Sequence, residues 1–237
     1  MKREVDSNWV DLEAADGSRF SGFLARPSAP GAYPGILVFM EAFGVNRHIR
    51  NVTERIAGEG YRALALDLYH RSAPRWEGSY EDFSQALVHL RQVTVEHLSA
   101  DVQGGYRWLS GSGAGQAVGA VGFCFGGRVA FLASTLVPLR AACSFYGGGI
   151  VPELSNRAGD VKAPLLLFWG GRDPHVPPDQ ARATADALRA AGKEFVEVSF
   201  SKAGHGFFCE ERGSYDVEAA RMSRLLFLDF FAHRLRS

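Results

Sequence analysis

Cysteine is scarce in this chain: Cys124, Cys143 and Cys209 are the only three among 237 residues. An odd number cannot all pair, and their spacing matches no disulfide framework or metal-ligand set, so neither a metal nor a cofactor is expected. Excess charge of one sign is missing too, with 26 Lys plus Arg against 26 Asp plus Glu. That balance removes the global field that would favour nucleic acid or an anionic membrane, and leaves a small neutral or locally recognised molecule as the expected partner. No apolar run is long enough to span a bilayer, and the opening Met1-Lys2-Arg3-Glu4-Val5-Asp6 is charged with no apolar core behind it. No signal peptide and a cytoplasmic location are therefore expected. Repeats, low-complexity tracts and linkers are absent as well. A 46% hydrophobic content supplies one large core, so a single domain over residues 1–237 is expected, as a monomer or homodimer.

What is present is an alternation of strand-like and helix-like stretches. Trp9 to Glu13 and Phe20 to Ala25 alternate on either side of Asp16-Gly17, which reads as an opening antiparallel hairpin. The pattern then changes to near-continuous apolar runs: Gly35 to Met40, Ala63 to Leu66, Ala117 to Val121, Ala141 to Tyr146 and Pro164 to Trp169. Such runs suit core strands, and parallel strands covered on both faces read this way. Helical stretches lie between them, at about Arg47 to Glu59, Tyr80 to Leu109, Gly127 to Ser134 and Pro178 to Ala191; Phe195 to Phe200 is the last strand and Asp216 to Leu235 the closing helix. The order predicts an α/β fold, a mostly parallel doubly wound sheet in a three-layer sandwich with an N-terminal antiparallel hairpin. The connection from His70 to Gly78 is long and carries Pro74 and two arginines, the kind of loop that often lines an active site.

Chemistry concentrates at Gly122-Phe123-Cys124-Phe125-Gly126-Gly127. A cysteine there sits where a strand meets a helix, on a strained turn whose neighbours must be glycine or very small. The turn aims the sulfur at the positive end of the following helix, where N–H groups stabilise a thiolate and later an oxyanion. A buried inert thiol is the alternative, and it is the reading kept for Cys143 and Cys209. Asp173 and His205 follow downstream, each just past its own apolar run, in the nucleophile, acid, histidine order of α/β-hydrolases. A carboxylate at Asp173 can fix the tautomer of a histidine, and the glycine-flanked His205 suits an imidazole that carries protons. His175, close to Asp173 in sequence, is the competing base. The N–H of Phe125 and that of Ala42, in the loop after the Gly35 to Met40 run, are the expected oxyanion donors. Glu41 is either a solvated loop carboxylate or, beside a thiol, a group that raises the thiol pKa.

The motifs Glu41-Ala42-Phe43-Gly44-Val45-Asn46, Ala65-Leu66-Asp67-Leu68-Tyr69, Gly122 to Gly127 and Gly204-His205-Gly206-Phe207 resemble those of the dienelactone hydrolases (carboxymethylenebutenolidases), members of the α/β-hydrolase superfamily. The resemblance runs from Gly35 to the closing helix. It implies Cys124 as nucleophile, His205 as base and then acid, Asp173 as its orienter, and Glu41 as the carboxylate that controls the thiol. It also implies hydrolysis of a small ester or lactone through an acyl thioester. The family holds its substrate's carboxylate with two arginines. One position falls on Cys209, and the other falls within Trp76 to Phe83, which contains no arginine. Arg71, Arg75 and Arg212 are nearby substitutes, while Trp76, Tyr80, Phe83, Phe207 and Phe208 suggest an apolar acyl or lactone pocket. A carboxylesterase or thioesterase without lactone preference is a second reading. A thiol-based redox sensor or ligand-binding protein on the same scaffold is a third.

Overall fold

A computed structural model describes residues 3–112 and 117–236. The chain divides into two compact units, Met1–Gly119 and Ala120–Ser237. In the first, β1 (Val5–Glu13) and β2 (Arg19–Pro27) are antiparallel in a register that runs from Val5 opposite Pro27 to Glu13 opposite Arg19. This pair is longer than the predicted hairpin because the start of β1 is mostly exposed and polar, so it carries no apolar alternation to read. β2 also pairs antiparallel with β4 (Arg62–Leu66), which in turn lies parallel to β3 (Gly35–Phe39). Every residue of β3 is buried, as its unbroken apolar run predicts.

Three helices complete this unit: α1 (Arg47–Gly58), α2 (Phe83–Leu90) and α3 (Val95–Gly111). The start of α1 is set by Asn46, whose side chain accepts the Ile49 N–H. One helix from Tyr80 to Leu109 was expected, and two are found. Asp82 accepts the Ser84 N–H and starts α2, and Thr94 accepts the His97 N–H and starts α3. The Thr94 side chain starts a new helix in place of a continuing ladder, which breaks the segment at residues 91–94.

The second unit holds the helix that follows Cys124 and most of the strand that precedes it. β5 (Val118–Phe123) runs across the division between the units, and α4 (Phe125–Leu136) follows it. β6 (Ala141–Phe145), β7 (Leu165–Gly170) and β8 (Phe195–Phe200) are parallel neighbours in that order. The connections carry a short 3-10 turn at Ser155–Asp160, α5 (Pro178–Ala190) and the closing α6 (Val217–Leu235). The core of this unit contains an aromatic cluster. Phe145 packs against Phe123, Phe168 and Phe208 with ring centroids 4.8, 4.5 and 4.9 Å away. The class is therefore α/β, mostly parallel with an antiparallel N-terminal pair, as expected. No helix among the described residues is long and apolar enough to cross a membrane.

Candidate active site

β5 ends at Phe123 and α4 begins at Phe125, so Cys124 alone makes the turn between them. It does so at φ 56° and ψ −118°, a backbone that a residue with a side chain adopts only when its surroundings impose it. Those surroundings are visible. The Cys124 N–H donates to the Phe145 carbonyl at 3.0 Å, and the Gly127 N–H donates to the Cys124 carbonyl at 2.9 Å. A Cβ at Gly122 would lie 1.8 Å from the Gly126 carbonyl oxygen, and one at Gly127 would lie 2.7 Å from that of Phe145. Glycine at both positions is thus a steric requirement of the turn. Cys124 is half-buried whereas Cys143 and Cys209 are buried, and burial pushes the Cys143 thiol well above its ordinary pKa.

Two more loops close on the sulfur. Past β7, a Cβ at Gly170 would meet the Ala203 carbonyl oxygen at 2.7 Å, and one at Gly171 would meet the Ser201 backbone at 2.7 Å. The chain after β7 therefore passes directly against the chain after β8, and the Arg172 N–H donates to the Ala203 carbonyl at 2.9 Å. This contact sets Asp173 beside His205. The His205 Nδ1–H donates to Asp173 Oδ2 at 2.8 Å, and His205 Nε2 lies 3.0 Å from Cys124 Sγ. The other carboxylate oxygen, Oδ1, accepts the backbone N–H groups of His175 and Val176 at 2.7 and 3.1 Å. Both oxygens of Asp173 are thus occupied, and its tautomer-fixing bond goes to His205. His175 meets Asp173 through its backbone N–H.

The charges follow from these contacts. Burial alone would lower the His205 imidazole, but the adjacent Cys124 sulfur and the Asp173 carboxylate outweigh it and push it up to about 10. Burial also opposes ionisation of Asp173, yet the hydrogen bond and charge of His205 and the two N–H donors hold it below its ordinary value. His175 moves the other way, lowered by partial burial and by the charge of His205, whose ring it meets edge-on at 4.9 Å. A histidine that favours its charged form, hydrogen-bonded to a sulfur on one side and a carboxylate on the other, can hold a thiolate and return a proton.

The remaining predicted residues are placed as follows. Phe125 is the first residue of α4, and its ring lies under Arg128. Phe207 and Phe208 are buried in the aromatic core, Phe207 against Phe200 and Phe208 against Phe123 and Phe145. The Arg212 guanidinium packs on the backbone of Gly206, which has φ 76°. In the first unit, Glu41 and Ala42 are buried just past β3, and the Tyr80 hydroxyl donates to Glu41 Oε2 at 2.7 Å. Trp76 and Tyr80 pack on Ala42, Phe43 and Ala86. Arg71 forms a salt bridge with the fully buried Asp101 at 2.9 Å and another with Asp16 at 2.7 Å. Arg75 donates to Ser21 at 3.1 Å and lies over Trp9. Arg71 and Arg75 are thus committed to partners on α3, β1, β2 and the turn between those strands. Sequence reasoning missed Tyr146, whose ring meets that of His205 at 5.1 Å. The signal was an aromatic residue wedged between a core strand and the run Gly147-Gly148-Gly149.

Comparison with known proteins identifies the family and the fold. The model of the dienelactone hydrolase family matches residues 20–235. A protein of Synechocystis sp., provisionally named a carboxymethylenebutenolidase, is 35% identical over 85% of the chain and 87% of its own length. The carboxymethylenebutenolidase of Pseudomonas putida is 28% identical over 94% of the chain and 95% of its own. A Klebsiella pneumoniae crystal structure, provisionally named a dienelactone hydrolase, superposes with a TM-score of 0.87 at 29% identity, covering 97% of this chain and 99% of that one.

Proposed function

Since the chain belongs to the dienelactone hydrolase family, with an α/β-hydrolase fold and a hydrolase's action on ester or lactone bonds, we propose that Cys124, His205 and Asp173 carry that hydrolysis through an acyl thioester. The observation that supports the reading best is the continuous line from Asp173 Oδ2 through the imidazole to Cys124 Sγ, at 2.8 and 3.0 Å. The thiol proton passes to His205 Nε2. The thiolate attacks the substrate carbonyl carbon, a C–S bond forms, and negative charge moves to the carbonyl oxygen. The N–H groups at the start of α4, that of Phe125 first, stabilise this oxyanion. As the intermediate collapses, the C–O bond breaks and the leaving alkoxide takes the proton from Nε2. In a lactone the new hydroxyl stays attached to the acyl group. Water then gives a proton to Nε2 and attacks the thioester carbonyl, the C–S bond breaks, and the acid leaves with the thiolate restored. Asp173 keeps Nδ1 protonated and aimed throughout.

Control of the thiol by Glu41 and a second oxyanion donor at the Ala42 N–H belong to the proposal through the motif Glu41 to Asn46 alone. The substrate is a small ester or lactone. Commitment of Arg71 to Asp101 and Asp16 favours the second reading, an esterase that does not require an anionic lactone. The test is a panel of dienelactone, neutral lactones and p-nitrophenyl esters. Comparable kcat/KM on neutral esters is expected, whereas hydrolysis confined to dienelactone would restore an anion-gripping site. Loss of all hydrolysis on alkylation of Cys124 by iodoacetamide is expected in either case.

A further inference from the structure

Two hydrogen bonds hold the His205 imidazole at its nitrogens, but they do little against tilting of the ring about the line that joins them. The flanking backbone is held, with the Gly204 carbonyl against Gly170 and the Cys209 N–H donating to the Gly206 carbonyl at 3.0 Å, but a fixed backbone still leaves the ring its side-chain torsions. The ring must be held by what packs against it, and Tyr146 and His175 both do so. The His175 ring, on an exposed residue past β7, is 4.9 Å away at 74°. The Tyr146 ring is 5.1 Å away at 62° and belongs to one of the largest fully buried side chains.

Tyr146 is also one of the described residues other than glycine with positive φ, at 40°. Such a backbone is costly for a residue with a bulky side chain and persists where neighbours impose it, which is often at functional sites. Here the neighbours are identifiable. The Tyr146 N–H donates to the Phe168 carbonyl at 2.7 Å, and the preceding residue, Phe145, accepts the Cys124 N–H at 3.0 Å. Phe207 meets the Tyr146 ring at 5.2 Å and 73°. The same two residues at the end of β6 therefore hold the cysteine turn through a carbonyl and the histidine through a ring.

We propose that Tyr146 is a positioning residue for His205: its ring, fixed by the left-handed backbone, keeps the imidazole in the plane that joins Asp173 to Cys124. The inference rests on the hydrolytic reading above. The groups that face His205 are Cys124 before α4, Asp173 and His175 after β7, and Tyr146 after β6; Arg212 acts on His175.

The test compares Tyr146→Phe, which keeps the ring, with Tyr146→Asn, which removes it but tolerates positive φ. Tyr146→Gly, which accepts that φ without strain, is the second ring-free variant. The readouts are kcat and KM on a p-nitrophenyl ester, and the pH midpoint of Cys124 alkylation by iodoacetamide. Tyr146→Phe is expected to match the wild type within about threefold, while the ring-free variants lose about 10- to 100-fold in kcat with little change in KM, the scale of a misplaced proton carrier. Their alkylation midpoint should rise, because a tilted imidazolium stabilises the thiolate less. Folded ring-free variants with unchanged kcat and midpoint would overturn the proposal. So would an equal loss in Tyr146→Phe, which would assign the effect to the hydroxyl, or failure of both ring-free variants to fold, which would make the residue structural. Cys124→Ala is measured alongside, and activity there would refute the hydrolytic reading without bearing on Tyr146.

Discussion

The turns that follow β4 and β5 both gather charged and polar side chains at the carboxyl end of a strand, and they use them in opposite ways. After β4, Asp67 points its carboxylate inward, accepting the N–H groups of Tyr69 and Arg75 at 3.2 and 2.6 Å. Arg71 is drawn onto buried Asp101, which His70 also meets at 3.1 Å. Each charge there ends on a partner within the same unit, Asp67 on backbone of its own loop and Arg71 on Asp101 of α3 and Asp16 of the β1–β2 turn, and the result is a fixed loop. After β5 the line from Asp173 through His205 ends on a half-buried sulfur. A polar network whose last member is a nucleophile still open to solvent can do chemistry, while one closed on itself holds backbone. Counting arginines near a site does not separate the two. Their partners do.

The comparison breaks first, and hardest, at Cys124. Cys124→Ala should lower kcat by at least about 10³-fold while thermal unfolding stays cooperative. Asp173→Asn follows, with an expected loss of about 10²- to 10⁴-fold, because the amide no longer fixes the Nδ1 proton; kcat near the wild type would show that the imidazole is oriented by something else. The loop after β4 should answer oppositely. Arg71→Ala should leave kcat/KM on a neutral ester within about threefold, yet cost about 1–3 kcal/mol in urea unfolding as Asp101 loses a charged partner. A large catalytic defect in a stable Arg71→Ala protein would collapse the distinction.

The smallest expected effect is a matter of pH. The His205 pKa is raised in the folded state from 6.5 to about 10, so its charged form binds a proton more tightly there than in the unfolded chain. Its stabilisation is therefore complete below about pH 6.5 and lost as pH rises through about 10. The Tm advantage of the wild type over His205→Gln should shrink across that window. An advantage that grows with pH would contradict the charge assignment.

The backbone-determined parts of this site were legible in the sequence. Gly122 and Gly127 were readable because only glycine clears the carbonyls of Gly126 and Phe145, and strand ends could be placed from apolar runs. The start of α4 was misjudged by two residues, at Phe125 and not near Gly127, because glycines mask a helix start. Side-chain partners were less accessible. Nothing in Arg71 or Arg75 announces that one binds Asp101 and the other covers Trp9, since those partners lie 30 and 66 positions away along the chain. Phe207 and Phe208 were expected at the substrate and are found in the aromatic core, because aromatic residues beside a histidine look alike in sequence whichever way they face. Tyr146 was passed over because its partner His205 lies 59 positions away along the chain.

The central claim is that Cys124 takes up the acyl group and His205 hands it on to water. The most direct measurement is intact mass with peptide mapping of protein quenched in acid within the first turnovers of p-nitrophenyl acetate. The account predicts one acetyl group on Cys124, transient in the wild type and long-lived in His205→Gln if that variant still acylates. Turnover at the wild-type rate by Cys124→Ala, or an acetyl group carried on another residue at the catalytic rate, would contradict it.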